Sequence, residues 1–276
     1  MEPVNGPPPQ PSPLQGEGGI CGNRPPPPER GRPGGGQEGS IKQSHINIPH
    51  EERLIVALDV PTIAEAHAVA DELRGVVRFY KIGLQLFPLG GADLARELIA
   101  RGDKVFLDFK FYDIGETVRN AVTSAATIGA QFLTVHGDRE ILAAAVAGRG
   151  QSDLKILCVT VLTSLDHTAL DEMGYHGGVE QLVLQRALLA KESGCDGVIA
   201  SAQEAVRLRA ALGPDMLIVT PGIRPAGAAA NDQKRVMTPK DALAAGADYL
   251  VVGRPIVQAP DRRAAAEAVL KEMRGG

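Results

Sequence analysis

Residues 105–116 read Val-Phe-Leu-Asp-Phe-Lys-Phe-Tyr-Asp-Ile-Gly-Glu. The stretch begins as an apolar run of the kind that forms buried β-strands, and three charged side chains follow within six residues, at Asp108, Lys110 and Asp113. Residues 116–128 follow with helical character, so this stretch predicts one strand–helix unit. The same alternation recurs along the chain after Arg53. Counting the strand at 105–110, the eight strand candidates are 54–59, 79–82, 105–110, 132–136, 156–162, 197–201, 217–220 and 249–252.

The segments between these strands include Ala- and Leu-rich stretches bounded by Gly, Pro or a capping residue, as expected for helices. The clearest helix candidates are 63–73, 92–100, 116–128, 179–192 and 239–245. Eight such units in about 225 residues favour a single (β/α)8 TIM barrel, since doubly wound sheets usually have only five or six strands.

The N-terminal segment has a different composition. Its first 40 residues contain 11 Pro and 10 Gly and almost no apolar side chains. Such a segment cannot bury enough surface to offset the entropy of ordering. We therefore expect a disordered low-complexity tail at 1–48 and a barrel domain at 49–276. A Pro-rich ligand for another domain is the alternative interpretation of the tail.

The bulk composition excludes several classes of function. A net charge of −4 with dispersed Lys and Arg predicts no nucleic-acid partner, and no apolar run approaches the roughly 18 residues that cross a membrane. Cys21, Cys158 and Cys195 lack the spacing of a disulfide framework or a zinc site, which fits a reducing cytoplasm. Neither a metal nor a nicotinamide motif is present, so we expect no cofactor.

Charged residues recur at the predicted C-terminal ends of the strands, where TIM barrels carry their active sites. Asp108 and Lys110 are two residues apart on a strand and should project to the same face. Burial of unpaired charges is costly, so we expect an array of Lys81, Asp108, Lys110 and Asp113 in which each charge is balanced by neighbours of opposite sign. A solvated strand end with surface ion pairs is the simpler alternative. A lysine held protonated between aspartates indicates proton transfer to a carbanion.

The ordered motifs of residues 53 to about 260 resemble those of the orotidine 5′-monophosphate decarboxylases, in their bacterial form. The matching segments are Ala57-Leu58-Asp59, Lys81-Ile82-Gly83, residues 108–114, residues 159–164, residues 220–225, Asp232-Gln233 and Val252-Gly253-Arg254-Pro255. The resemblance implies decarboxylation of orotidine 5′-monophosphate to uridine 5′-monophosphate, in pyrimidine biosynthesis, without metal or cofactor. It also implies a homodimer whose active sites are shared across the interface.

The resemblance implies a role for each matching residue. Lys110 would be the general acid, and Asp108 and Asp113 its electrostatic partners, with Asp113 acting in the neighbouring subunit's site. Substrate binding would fall to Asp59, Lys81, Thr117, Thr163, Arg224, Gln233, Gly253 and Arg254. The phosphate assignment also has a basis in the fold, because loops after strands 7 and 8 of such barrels commonly hold phosphate. The alternative to a phosphate site is that the glycines of these loops merely end the strands. Residues 226–232 resemble a lid, and a plain surface loop is the alternative for them.

The sequence also departs from the bacterial pattern Asp-Leu-Lys-Phe-His-Asp-Ile-Pro-Asn-Thr. It carries Phe109, Tyr112, Gly115 and Glu116 where that pattern has Leu, His, Pro and Asn. The change at Gly115 removes a proline's rigidity from the loop after strand 3. Two rival functions share parts of the pattern: a magnesium-dependent sugar-phosphate decarboxylase or hexulose-phosphate synthase of the same barrel group, and a non-catalytic barrel that binds a phosphate ligand.

Overall fold

Eight parallel strands form a closed barrel in which each strand pairs with the next along the chain and β8 pairs with β1. The computed structural model describes residues 48–225 and 237–275. Its strands are β1 (Leu54–Ala57), β2 (Phe79–Gly83), β3 (Lys104–Phe111), β4 (Phe132–Val135), β5 (Lys155–Val159), β6 (Gly197–Ile199), β7 (Leu217–Thr220) and β8 (Tyr249–Val252). The predicted (β/α)8 architecture is confirmed.

Helices follow the strands and surround the barrel. They are α1 (Ile63–Glu72), α2 (Gly91–Ala100), α3 (Gly115–Ala126), α4 (Arg139–Gly148), α5 (His167–Glu172), α6 (Val179–Glu192), α7 (Ala205–Leu212), α8 (Pro239–Ala244), α9 (Arg254–Val257) and α10 (Arg262–Met273). The five helices singled out from the sequence correspond to α1, α2, α3, α6 and α8. Side-chain caps fix several helix starts; for example, the Thr62 hydroxyl accepts a hydrogen bond from the Glu65 amide.

The predicted strands at 54–59 and 156–162 are longer than the observed ones. Pairing in β1 ends at Ala57, although the Leu58 amide still donates to the Lys81 carbonyl at 2.9 Å. Buried apolar side chains continue past each strand end, as at Leu58 and Val161, because they still pack in the core. An apolar pattern therefore overestimates the paired length. Asp59 and Thr163 consequently lie in loops beyond their strands.

The core has two layers, separated by the sheet. Between sheet and helices, Leu, Val and Ile side chains form the larger layer. A smaller cluster fills the barrel interior: Ile55, Ala57, Phe79, Phe106, Phe132, Leu157, Leu217, Val219, Tyr249 and Val251. The Phe132 ring centroid lies 5.1 Å from those of Phe79 and Tyr249. These aromatic rings form an apolar floor below the C-terminal ends of the strands.

Some sequence-based predictions fall outside the described residues. They concern residues 1–47 of the predicted tail, the predicted lid at 226–232, and Gln233. Within the described ranges, every helix is too short or too polar to traverse a lipid bilayer.

Candidate active site

A cavity of about 410 Å³ opens at the C-terminal ends of the strands, where catalytic groups of TIM barrels lie. Phe106 of the aromatic floor is part of its lining. Predicted site residues that line this cavity are Asp59, Lys81, Asp108, Lys110, Thr163, Arg224, Gly253 and Arg254. The volume is within the range of cavities that hold small organic ligands.

Four charged side chains form a continuous array along one wall of the cavity. Lys81 Nζ lies 3.0 Å from Asp59 Oδ1 and 3.2 Å from Asp108 Oδ2. Lys110 Nζ donates to the other oxygen of Asp108, at 2.8 Å. Asp108 therefore bridges two ammonium groups, and the charges alternate in sign from Asp59 to Lys110. The centre of the array is buried, with the Lys81 and Asp108 side chains 9% and 14% exposed, whereas its ends at Asp59 and Lys110 are 52% and 28% exposed.

The array stabilises its own charges. Burial disfavours the charged form of Lys81, but the carboxylates of Asp108 and Asp59 outweigh burial and raise the pKa of Lys81 above its ordinary value. Burial likewise disfavours ionised Asp108, but Lys81, Lys110 and the hydrogen bonds that Asp108 accepts lower its pKa below the ordinary value. At neutral pH both groups are therefore charged, and Lys110 faces an ionised carboxylate.

Lys110 occupies an unusual backbone conformation. It is the one non-glycine residue with positive φ, at 51°, among the described parts of the chain. The pairing of β3 with β4 shifts here, between Leu107 and Phe111. The expectation that Asp108 and Lys110 face the same cavity is met, but by a bulge rather than by a regular extended strand. Fully buried Thr134 lies opposite the bulge, and its hydroxyl contacts both Asp108 and the Lys110 amide.

Gly83 makes room for the lysine–aspartate pair at the end of β2. A Cβ atom added to Gly83 would lie 3.1 Å from Asp59 Oδ1 and 3.2 Å from Lys81 Nζ, both closer than ordinary van der Waals contact. Close packing therefore explains why the Lys-x-Gly motif has a glycine at this position. Any side chain here would push against the two atoms that form the ion pair.

The loops after β7 and β8 bring groups suited to an anion to the cavity. Arg224 and Arg254 line it together with Gly222, Gly253 and Gln258. Gly222 has a φ of 77°, so the turn after β7 needs a residue without a Cβ to bring its backbone to the cavity. Arg224 is 7% exposed, and its Nη1 donates to the Ile223 carbonyl at 2.9 Å. Two guanidinium groups therefore line this part of the cavity, and guanidinium groups are suited to charge-assisted hydrogen bonds with a phosphate.

Two predicted site residues of this chain do not line its own cavity. Asp113 is exposed, and its Oδ1 accepts a hydrogen bond from the next amide, that of Ile114, at 2.7 Å. Thr117 is exposed on the first turn of α3. Neither belongs to the lining of the cavity that contains Lys110. The observed array ends at Lys110 and extends beyond Lys81 to Asp59, without Asp113 of the same chain.

Two residues of the site were not singled out by sequence reasoning. Thr134 stands in the apolar run Phe-Leu-Thr-Val of β4, where a lone polar residue on a buried strand was the available signal. Gln258 follows Arg254 by one helical turn. Gly222, which the sequence placed with Gly253 at the strand ends, lines the cavity. His136 lines a neighbouring cavity with Tyr112 and Arg186 rather than the cavity of Lys110.

Comparison with known proteins agrees with this geometry. The model of the orotidine 5′-phosphate decarboxylase / HUMPS family matches residues 52–269. An orotidine 5′-phosphate decarboxylase of Rhodopseudomonas palustris (strain ATCC BAA-98 / CGA009) is 54% identical over 228 residues, which are 83% of this chain and 96% of that protein. The enzyme of the same name from Nitrobacter winogradskyi is 55% identical over 230 residues, with the same coverage of both chains.

A solved structure extends the comparison to three dimensions. The crystal structure of orotidine 5′-phosphate decarboxylase from Lactobacillus acidophilus superposes with a TM-score of 0.71 at 39% sequence identity. The match covers 80% of this chain and 99% of that one. On the sequence match, the shared fold and the residues that line its cavity, this chain belongs to the orotidine 5′-phosphate decarboxylase / HUMPS family.

Proposed function

We propose that this chain decarboxylates orotidine 5′-monophosphate to uridine 5′-monophosphate, a step of pyrimidine nucleotide synthesis, with Lys110 as the general acid. The observation that carries the proposal is the position of Lys110 Nζ, 2.8 Å from an ionised Asp108 and in the same cavity as Arg224 and Arg254. The cavity thus combines a lysine amine beside a carboxylate with groups that are suited to bind a phosphate. The names of the two relatives identify the same reaction.

The proposed reaction needs one bond to break and one proton to move. The C–C bond to the substrate carboxylate breaks, carbon dioxide leaves, and the electron pair remains on the ring carbon. The Lys110 ammonium stabilises this developing charge and donates its proton to the carbon; solvent then returns a proton to the amine. Asp108 accepts a hydrogen bond from Lys110 Nζ and disfavours the substrate carboxylate more than the product, which has lost that charge.

The other cavity residues would hold the nucleotide. We assign the ribose hydroxyls to Asp59 and Lys81, which lie together at the mouth of the array. Thr163 would contact the pyrimidine. The phosphate would bind to Arg224 and Arg254 and to the backbone at Gly253, with Gln233 contacting phosphate or base. Phosphate binding far from the reacting carbon supplies affinity that positions the carboxylate beside Asp108.

A magnesium-dependent sugar-phosphate enzyme is the remaining alternative within the same barrel group. Both carboxylates of the array, Asp59 and Asp108, are engaged by lysine ammonium groups, an arrangement that favours proton transfer over cation binding. Among residues 48–225 and 237–275 no three His, Cys, Asp or Glu side chains are grouped as a metal site. The assay below distinguishes the two functions.

The test is the loss of orotidine monophosphate absorbance with purified protein, with and without EDTA. We expect activity in both conditions and loss of nearly all turnover in Lys110→Ala, with binding of the product nucleotide retained. Activity that requires added magnesium would favour the alternative function. A Lys110→Ala variant that keeps a tenth of wild-type turnover would exclude Lys110 as the acid.

We also propose that the enzyme is a homodimer in which Asp113 and Thr117 serve the neighbouring subunit's site. Both are exposed, and neither lines the cavity of its own chain. The loops after β2 and β3 beside them expose large apolar side chains, with exposures from 44% to 71%: Leu84, Phe87, Leu89, Tyr112 and Ile114. A patch of this kind is typical of a protein interface, and a second copy would cover it symmetrically.

Mixed dimers test this arrangement. Lys110→Ala and Asp113→Ala homodimers should each be nearly inactive. Refolded together in equal amounts, half of the dimers are mixed, and each mixed dimer has one site with intact Lys110 and intact Asp113. Activity should therefore recover to ~25% of wild type. No recovery, in spite of demonstrated subunit exchange, would place Asp113 in its own chain's site.

We further propose a cytoplasmic location and a catalytic domain that begins after residue 48. Cys158 and Cys195 are free and buried, which is compatible with a reducing compartment. The composition of residues 1–48 supports the domain boundary.

A further inference from the structure

The bulge in β3 lies opposite a single residue of β4. Leu107 pairs with Leu133, and the next paired residues are Phe111 and Val135. Three residues of β3, 108 to 110, therefore face one residue of β4, Thr134. A regular ladder would have one residue there, so the bulge leaves backbone groups without their usual partners.

The Thr134 hydroxyl takes the place of the missing ladder bonds. It accepts a hydrogen bond from the Lys110 amide at 3.0 Å and donates one to Asp108 Oδ1, also at 3.0 Å. The same Asp108 oxygen accepts from Lys110 Nζ at 2.8 Å. One buried hydroxyl thus contacts the backbone of Lys110 and the carboxylate that holds its ammonium group. Beyond the bulge the ladder resumes, with the His136 amide donating to the Phe111 carbonyl at 2.9 Å.

The geometry points to Thr134 as the positioning residue that holds Lys110 in its left-handed conformation and fixes the direction in which Asp108 presents its carboxylate. A non-glycine residue at positive φ is strained unless its surroundings hold it. The bond to the Lys110 amide provides that restraint, and the bond to Asp108 prevents rotation of the carboxylate away from Lys110. Thr134 acts through these two groups and does not line the cavity. The role rests on the proposed function, because it concerns the orientation of the proposed acid.

Three variants at position 134, with one control variant elsewhere, separate the effect of the hydroxyl from that of the side-chain volume. Thr134→Val keeps the shape and removes the hydroxyl, whereas Thr134→Ser keeps the hydroxyl and removes a methyl group. If Thr134→Val does not fold, Thr134→Ala and Thr134→Ser provide the same test, because these two smaller side chains differ only in the hydroxyl. Thr160→Val is the matched control, because Thr160 is also fully buried, donates to the Ile199 carbonyl at 2.8 Å, and does not line the cavity.

We expect Thr134→Val to lower kcat at least about tenfold, the loss that corresponds to one hydrogen bond to a charged group, with KM changed less than about threefold. KM should hold because the phosphate-binding side of the cavity is untouched. Thr134→Ser should stay within about threefold of wild type in kcat, and Thr134→Ala should fall well below it. The Thr160→Val control should stay within about twofold of wild type.

The inference is overturned if Thr134→Val retains wild-type kcat, if Ser and Ala variants are equally active, or if Thr160→Val loses as much kcat as Thr134→Val. A crystal structure of Thr134→Val provides a readout that does not depend on turnover. We expect Lys110 to leave positive φ or its Nζ to separate from Asp108. Retention of both features would refute the role of Thr134, whatever the substrate of the enzyme. If instead the structure changes as expected but the wild-type protein does not decarboxylate orotidine monophosphate, only the proposed function is refuted.

Discussion

Acidification should destabilise this protein through one histidine, His136. Burial, together with the nearby cations Arg186 and Lys110, lowers the pKa of His136 to about 4. The unfolded chain has an ordinary histidine pKa of about 6.5. Between these two values the unfolded state binds more protons than the folded state, so the free energy of unfolding falls as the pH falls through this window. The stabilisation is fully present above about pH 6.5 and is lost towards pH 4.

The magnitude follows from the two pKa values. Between pH 7 and pH 4.5, the difference in protonation between the unfolded and the folded state would lower the free energy of unfolding by about 2.4 kcal/mol. Because the ring is only partly buried and solvent screens it, we expect about 1 to 2 kcal/mol. Carboxylates that titrate in the same range contribute equally to wild type and to a variant without the ring. The contribution of His136 is therefore the loss of stability on acidification in wild type minus the same loss in the variant, a double difference.

The assay is urea unfolding of wild type and His136→Gln at pH 7 and pH 4.5. The variant should lose about 1 to 2 kcal/mol less than wild type on acidification. Lost packing of the ring lowers the stability of the variant at both pH values and cancels in the comparison. His50→Gln, at an exposed histidine, is the matched control and should lose as much as wild type. A double difference below about 0.3 kcal/mol for His136→Gln, or one of opposite sign, would refute the reasoning.

Three further changes test other parts of the structure. Arg254→Ala should raise KM for orotidine monophosphate by about 10- to 100-fold, since it removes a charge-assisted contact to phosphate, and steady-state kinetics would show an unchanged KM if the phosphate lies elsewhere. Gly83→Ala should lower kcat/KM several-fold with little change in melting temperature, because the new methyl group presses on Asp59 and Lys81; equal kcat/KM would show that the pair adapts freely. Deletion of residues 1–48 should leave melting temperature and turnover intact, and a large fall in either would show that the segment belongs to the catalytic domain.

The fold was predictable because buried parallel strands are nearly continuous apolar runs, and eight of them alternate with helices. Strand ends were less predictable, as at Leu58, where apolar packing continues after pairing stops. The array was only partly predictable. The alternation of charge on neighbouring strand ends indicated that Lys81, Asp108 and Lys110 meet, and the resemblance to a family supplied the roles.

Two aspects of the site depend on contacts that are distant in sequence. The left-handed conformation of Lys110 depends on Thr134, which lies 24 residues further along the chain and on another strand. Local spacing therefore predicted correctly that Lys110 faces the cavity. It assumed an extended strand, however, whereas the structure has a bulge with Lys110 at positive φ. Asp113 is only three residues from Lys110, yet the turn after β3 carries it out of the cavity, because proximity in sequence does not determine direction once the strand ends.

The bulge opposite Thr134 also limits how the length of this strand can change during evolution. It adds two residues to β3 relative to β4, and Leu107 before it and Phe111 after it both pack on the helical side of the sheet. Because side chains alternate in a strand, a single insertion or deletion here would turn every later side chain to the opposite face. Only changes of two residues preserve the facing. Alignments of distant homologues should therefore place gaps at this strand end in pairs, and a one-residue gap next to Lys110 would indicate an alignment error rather than a real difference in length.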